Sequence, residues 1–138
     1  MNDTKGLAKL AAALAKIKLL DKIVLEHAGT KLKSGMQHTI DAQTEPWVPL
    51  SPVTIARKGH SDILLDTHVM RDSIESRYHG GTVTIGIHAD APNNRAYVAG
   101  LQEHGSPDTG LPARPFLMPT WEREKGGIMK LFKAELKF

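Results

Sequence analysis

The sequence predicts an α+β domain: a long N-terminal helix, a central antiparallel hairpin and a closing C-terminal helix, joined by loops rich in proline and glycine. Three observations carry that expectation. Apolar residues recur at three- and four-residue spacing through residues 4–42. A strictly alternating run, Thr82-Val83-Thr84-Ile85-Gly86-Ile87, follows the pair Gly80-Gly81. Helical spacing returns at Ile128, Leu131, Phe132 and Leu136.

In the first element, Leu7, Leu10, Leu14 and Ile17 follow 3-4-3 spacing, and Leu20, Val24, Ala28 and Leu32 extend the stripe. Lys9, Lys16, Lys18 and Lys22 lie on or beside the opposite side. Two readings stand for this segment. Either the whole helix packs on its own core with a solvated basic face, or the first 20 or so residues project and pack on a neighbouring subunit. Gly29 and Gly35 are poor helix-interior residues, so a kink or break is expected near 29–35. The run Leu7 to Ala15 imitates a signal-peptide core, but Lys9 interrupts it and Lys16 and Lys18 follow, so it reads as helix.

Residues 44–52, Thr-Glu-Pro-Trp-Val-Pro-Leu-Ser-Pro, exclude helix and central strand because each proline restricts itself and the residue before it. Ser51 as N-cap and Pro52 at the first helical position open a short helix to about Lys58, which Gly59 ends. After the apolar run Ile63-Leu64-Leu65, Asp66 or Thr67 is expected to cap another short helix from Val69 to about Ser73. In the hairpin, Ile74, Ser76 and Tyr78 point one way, Val83, Ile85 and Ile87 share the core face, and Gly80-Gly81 supply the positive φ of a tight turn. Residues 89–94 read as a loop, 95–103 as a short helix or strand carrying Tyr97 and Leu101 inward, and 105–112 as a second loop. Pro115-Phe116-Leu117 reads as a short strand, and Gly126-Gly127 are expected to break or bend the closing helix. With 138 residues, no internal repeat and no linker, residues 1–138 make one domain.

Chemistry finds little purchase. There is no cysteine, which excludes a disulfide framework, a thiol nucleophile and a thiolate zinc site. Seven histidines are present, yet none forms HxxxH or HExxH. His60, Asp62, Asp66 and His68 are the densest set of potential ligands, and in a loop such residues are usually just solvated. Ser51, Ser61, Ser73 and Ser106 lack the GxSxG context of an activated serine, and no Walker-type phosphate loop occurs. The expectation is therefore a protein that is not an enzyme, with no catalytic, cofactor-binding or metal-binding residue. A net charge of +3 permits contact with nucleic acid or an acidic partner without requiring either. The β-strand 82–87 carries no aromatic residue between cations, so sequence-specific nucleic-acid binding is not expected. A small basic nucleic-acid-binding module remains the alternative. No stretch is long enough to span a bilayer, so no membrane partner is expected.

Four ordered blocks over roughly residues 45 to 120 resemble a known family. Trp47-Val48-Pro49-Leu50-Ser51-Pro52-Val53-Thr54 followed by Arg57-Lys58-Gly59 is similar to the "W-x-PLSP-x-T…RKG" stretch of the phage virion morphogenesis family. Leu64-Leu65-Asp66-Thr67-His68-Val69-Met70-Arg71-Asp72-Ser73-Ile74 resembles its "L-x-DTG-x-L-x-x-SI", Gln102-Glu103-His104-Gly105, preceded by Tyr97, its "hQFG" or "xExG", and Leu111-Pro112-Ala113-Arg114-Pro115-Phe116-Leu117 its "PARPFL". The same pattern is shared more loosely with the tail-component family of long-tailed phages. Two departures are visible: His68 stands where the family has Gly, and the interval from Tyr97 to Gly105 is one residue longer.

The resemblance implies helices packed on one face of the small sheet, and a structural phage or prophage protein acting in virion morphogenesis. Its role would be tail completion, tail termination or head–tail joining. Its partners would be other neck and tail proteins and further copies of itself, with a hexameric ring expected from tail symmetry. It would be made in the bacterial host cytoplasm and reside in the virion. The family-motif residues are expected to be structural or to face an interface. Trp47 would plug the rim of the core, while Leu50, Ile74, Phe116 and Leu117 fill it. Arg114 would hold Glu103 or Asp66, or face another subunit. Ser51, Pro52, Arg57, Lys58, Thr67, Ser73, Gly105, Pro112 and Pro115 complete the motif set. Loops 44–52 and 105–115 would suit reaching across a joint, because their fixed φ values lower the entropy lost on docking.

Overall fold

The computed structural model describes residues 4–43, 45–65 and 68–135 of the chain. The elements in order are α1 (Thr4–Ala42), α2 (Pro52–Lys58), α3 (Val69–Asp72), β1 (Ile74–His79), β2 (Thr82–Ile87), α4 (Arg95–His104) and α5 (Leu117–Glu135), with a 3-10 turn at Pro92–Asn94. The architecture is α+β, as the sequence predicts. The capping sites of α3 expected at Asp66 or Thr67, the start of the proline loop at Thr44, and Leu136 lie outside the described residues.

Helix α1 runs unbroken through Gly29 and Gly35, so the expected kink is absent. The two glycines serve close approach instead. A β-carbon on Gly29 would sit 2.0 Å from Ser76 Oγ and 2.9 Å from Val83 Cγ2, and one on Gly35 would sit 2.9 Å from Thr120 Cγ2. The first lets the hairpin lie against α1, and the second lets α5 do so. Around them Val24, Ala28, Leu32, Met36 and Ile40 form a buried line at four-residue spacing. The apolar stripe does not stop there. Leu7, Leu10 and Leu14 continue it while being 65%, 57% and 50% exposed, so the first turns of α1 carry an apolar face left open among the described residues. The side chains of residues 16–19 lie outside the described set.

The hairpin lies where the sequence places it. Ile74 pairs with Ile87, Ser76 with Ile85 and Tyr78 with Val83, and Gly80 and Gly81 turn the chain with φ of 57° and 85°. Positive φ at both central residues matches the right-handed twist of the flanking strands. A two-stranded hairpin is marginal alone; here α1 covers it, and Ile74 is fully buried in a core shared with Met36, Ile40, Trp47, Met70 and Phe116. A second apolar cluster of Ala28, Leu32 and Ile128, flanked by Leu131 and Phe132, joins α1 to α5.

Where α1 crosses α5, the buried hydroxyls of Thr39 and Thr120 meet at 2.7 Å, and each also reaches its own helix backbone, at Gly35 O and Phe116 O. At the C-terminal end of α1, Gln43 bonds Ile63 in both directions, through Nε2 to its carbonyl and from its N–H to Oε1. Arg71 of α3 donates to the Asp41 carboxylate at 2.8 and 3.1 Å, and that contact holds the Asp41 carboxyl below its ordinary range.

Three further expectations are corrected. Of the two readings of 95–103 the helix holds, but it turns Ala99 inward and leaves Tyr97, expected inward, 64% exposed. No strand forms at Pro115-Phe116-Leu117, because the Phe116 and Leu117 N–H groups are taken by the Glu103 carboxylate and the chain enters α5 at once. Helix α5 also passes straight through Gly126-Gly127. Nothing lies within 4 Å of a β-carbon on Gly126. Gly126→Ala is therefore expected to raise stability by about 0.5–1 kcal/mol, read from chemical denaturation, since it adds helix propensity with no clash.

His68 caps α3 in the left-handed region, at φ 64°, without a side-chain cap hydrogen bond. A glycine would adopt that conformation freely, whereas a β-carbon strains it. His68→Gly is expected to stabilise the fold by about 0.5–1 kcal/mol, seen as a higher Tm with an unchanged circular dichroism spectrum.

Candidate functional site

Three of the four motif blocks, which are far apart in the chain, are cross-linked in space. The Trp47 indole Nε1 donates to the Pro115 carbonyl at 2.7 Å, and Trp47 itself is buried. Arg114 Nε donates to Val48 O at 2.8 Å and Nη2 to Pro49 O at 3.1 Å, while its own N–H donates to Gln102 O. Of the alternatives expected for Arg114, Glu103 is not the partner found. It is buried and pairs with backbone carbonyls of the proline loop rather than with Glu103, and Asp66 lies outside the described residues. Burial lowers its pKa, yet a guanidinium stays charged at any physiological pH.

Glu103 has a different task. Its Oε2 accepts from the N–H groups of Phe116 and Leu117 at 2.8 and 3.0 Å, and its Oε1 from Met118 N–H at 3.0 Å. The first N–H groups of a helix have no intrahelical partner, and the helix dipole favours a negative charge there. One carboxylate thus starts α5. Gly105 makes the turn between them possible: it has φ 73°, and a β-carbon would press within 2.9 Å of Ala113 N and Leu111 O. Ser106 and Leu111 close the following loop with a reciprocal pair of backbone bonds.

These cross-links frame a groove of about 630 Å³ between α2, α3, α4 and the loop before α5. From α2 and its cap come Ser51, Thr54, Arg57 and Lys58; Ser51 caps the helix by accepting from Thr54 N–H, Pro52 is its first residue, and Gly59 ends it at φ 82°. From α4 come Arg95, Val98 and Gln102, at the i, i+3, i+7 spacing of one helix face. Leu65, Val69 and Met70 supply apolar floor, and Pro112 and Arg114 close the far wall. Leu50, expected in the core, is half-buried and lines the groove instead.

Among the motif residues, the groove thus gathers Leu50, Ser51, Arg57, Lys58, Pro112 and Arg114. Trp47, Glu103, Gly105, Pro115 and Phe116 brace it from behind. Ser73 and Ile74 stand apart: Ser73 bonds back to Val69 O at the end of α3, and Ile74 begins β1 in the core. Asp66 and Thr67 lie outside the described residues. The sequence gives Arg95 no motif and Gln102 no role of its own. Their 3-4 spacing with Val98 would have marked them had residues 95–103 been taken as helix alone.

Four cations, Arg57, Lys58, Arg95 and Arg114, line the groove, and no carboxylate does among the described residues. Arg95 Nε and Gln102 Oε1 are buried there without a hydrogen-bond partner. Of the candidate metal ligands, His60 Nδ1 lies 3.7 Å from the Asp62 carboxylate, and no group of three ligand residues among those described is placed to hold an ion. No helix among the described residues is long and apolar enough to cross a membrane. Compared with family models, curated proteins and solved structures, the chain matches none.

Proposed function

We propose that the protein is a structural component of a phage or prophage virion that works in tail completion or head–tail joining, by assembling with copies of itself and with neck or tail proteins. The phage assignment rests on the four ordered motif blocks. The assembly role rests chiefly on one observation: the Leu7-Leu10-Leu14 stripe, at least half exposed at each position on a helix whose other end is core. Apolar stripes of this kind are normally covered by a partner. A ring fits the reading, because copies repeating around an axis make heterologous contacts in which one patch meets a different patch on the next copy; tail symmetry makes a hexamer the expected count. Three carbonyls of the proline and glycine loops, those of Val48, Pro49 and Pro115, are held at home by Arg114 and Trp47, which stiffens the loops for reaching across a joint.

The test is sedimentation across a concentration series, together with detection of the protein in isolated phage necks and tails. The triple variant Leu7→Glu, Leu10→Glu, Leu14→Glu is expected to melt like the wild type, because those side chains are exposed, while losing self-association and incorporation. A wild-type protein that stays monomeric throughout and never joins necks or tails sinks the reading. The nucleic-acid alternative is favoured by the four cations of the groove; it requires DNA retention that falls steeply with added salt as phosphate contacts release counterions.

A further inference from the structure

We propose that copies of this chain join by laying the tip of one α1, at Leu7, Leu10 and Leu14, along the outer face of another copy's α5, at Met118, Trp121 and Met129. The inference deepens the assembly reading by naming both sides of the contact; it rests on that reading for self-association and not on the phage assignment. The first support is that the chain carries a second open apolar helix face. On α5, Thr120 and Ile128 turn toward α1 and are buried. Met118, Trp121 and Met129 lie together on a face turned away from it, 49%, 39% and 56% exposed. Tryptophan and methionine are enriched at protein interfaces, and tryptophan is a frequent energetic anchor there.

Geometry assigns the two faces to different copies. The start of α5 packs on α1 at Gly35 and Thr39, and Ile128 packs on Ala28 and Leu32. At about 1.5 Å per residue, Leu14 stands roughly 20 Å along the axis from Ala28 and roughly 30 Å from Gly35. Helix α1 has no break that would fold the tip back onto its own α5. The lengths suit each other, since 7–14 spans roughly 10 Å and 118–129 roughly 16 Å. Two different patches make a heterologous contact, the kind a ring repeats. Charge then favours α5 over a second tip as the occupant. Residues 4–20 hold Lys5, Lys9, Lys16 and Lys18 and no Asp or Glu, so paired tips would set like charge beside like charge. The α5 face holds Glu122 and Lys125, an exposed pair at 2.5 Å that leaves it neutral. Lys5 and Lys9 lie opposite Leu7 and Leu14 on the helix, so the contact buries no ammonium group of theirs.

The chain has no cysteine, so engineered thiols report the contact without background. Leu10→Cys and Glu122→Cys stand near the middle of the two faces, and a disulfide needs α-carbons within about 7 Å. The two full-length single variants are mixed across a concentration series, oxidised mildly and identified by intact mass. The expected main product is the mixed disulfide. Trp121→Ala is expected to weaken self-association of the otherwise unaltered chain by about tenfold or more, as loss of an aromatic anchor does. Its circular dichroism spectrum should not change, and Met129→Glu, at an exposed position, tests the same face if it does. Four results would each overturn the proposal: no mixed disulfide, a predominant Leu10→Cys homodisulfide (tip on tip), a predominant Glu122→Cys homodisulfide (α5 on α5), or self-association unchanged in the folded α5 variants. A wild type that associates yet gives no mixed disulfide loses this contact and keeps the assembly reading. A mixed disulfide in a protein that never joins a particle keeps the contact and loses the virion.

Discussion

Glu103→Ala is expected to lower the unfolding free energy by about 3 kcal/mol, the sum of lost charge-assisted bonds and of N–H groups left without an acceptor. Among the described residues the Glu103 carboxylate is the acceptor for the N–H groups of Phe116, Leu117 and Met118, which stand at the start of α5. In a domain of this size the loss corresponds to a fall in Tm of about 10 °C. Glu103→Gln keeps an amide oxygen but not the charge, so about half of the loss is expected. Hydrogen exchange separates this from general damage. Protection should fall first at residues 116–118 and along the start of α5, while the hairpin amides follow only the global change. A Glu103→Ala protein as stable as the wild type would mean that solvent replaces the carboxylate, and the account of how α5 begins would fail.

The second large effect is at Gly29. Gly29→Val should cost about 2–3 kcal/mol or more, because overpacking a tight contact forces backbone shifts. The nearest obstacle to a β-carbon is Ser76 Oγ at 2.0 Å, followed by Val83 Cγ2 at 2.9 Å, so both hairpin strands stand in the way. Helix propensity alone would give the opposite sign at this position, since glycine is the least favourable interior residue after proline. Gly29→Ala with Ser76→Gly isolates the contact. The double variant should recover most of the loss of Gly29→Ala, which would appear as a coupling energy in a double-mutant cycle. If Gly29→Ala stabilises on its own, glycine is there for some reason other than hairpin packing.

These two residues also mark where the sequence was readable and where it was not. Local rules found what local physics decides. Ser51, Pro52 and Gly59 set the ends of α2, and the alternation at 82–87 with Gly80-Gly81 set the hairpin and its register. Several corrections came from contacts distant in sequence. Gly29 and Gly35 look like helix breakers until the hairpin and α5 are laid on them. Phe116 and Leu117 look like strand until Glu103, 13 and 14 residues away, takes their N–H groups. Tyr97 faces outward because Ala99 occupies the inward face of α4. For the candidate site, the motif residues of α2 and the last loop were visible as a set. Their union into one groove was not, since it depends on Arg114 reaching back 65 and 66 residues to Pro49 and Val48. Arg95 carries no motif and Gln102 stands at the edge of one, and only the fold brings them to the wall.

Helix α1 has one more implication. Its 39 residues form a single rod without a joint, seated by Val24 to Ile40 and bare at Leu7 to Leu14. At about 1.5 Å per residue, Leu7 stands roughly 25 Å along the axis from Val24. A push or twist delivered at that tip would travel to the hairpin undiminished by any elastic element, as torque passes along a spindle. Whatever grips the tip therefore sets the orientation of the whole subunit, and a proline inserted near residue 20 should uncouple the two ends while sparing the body.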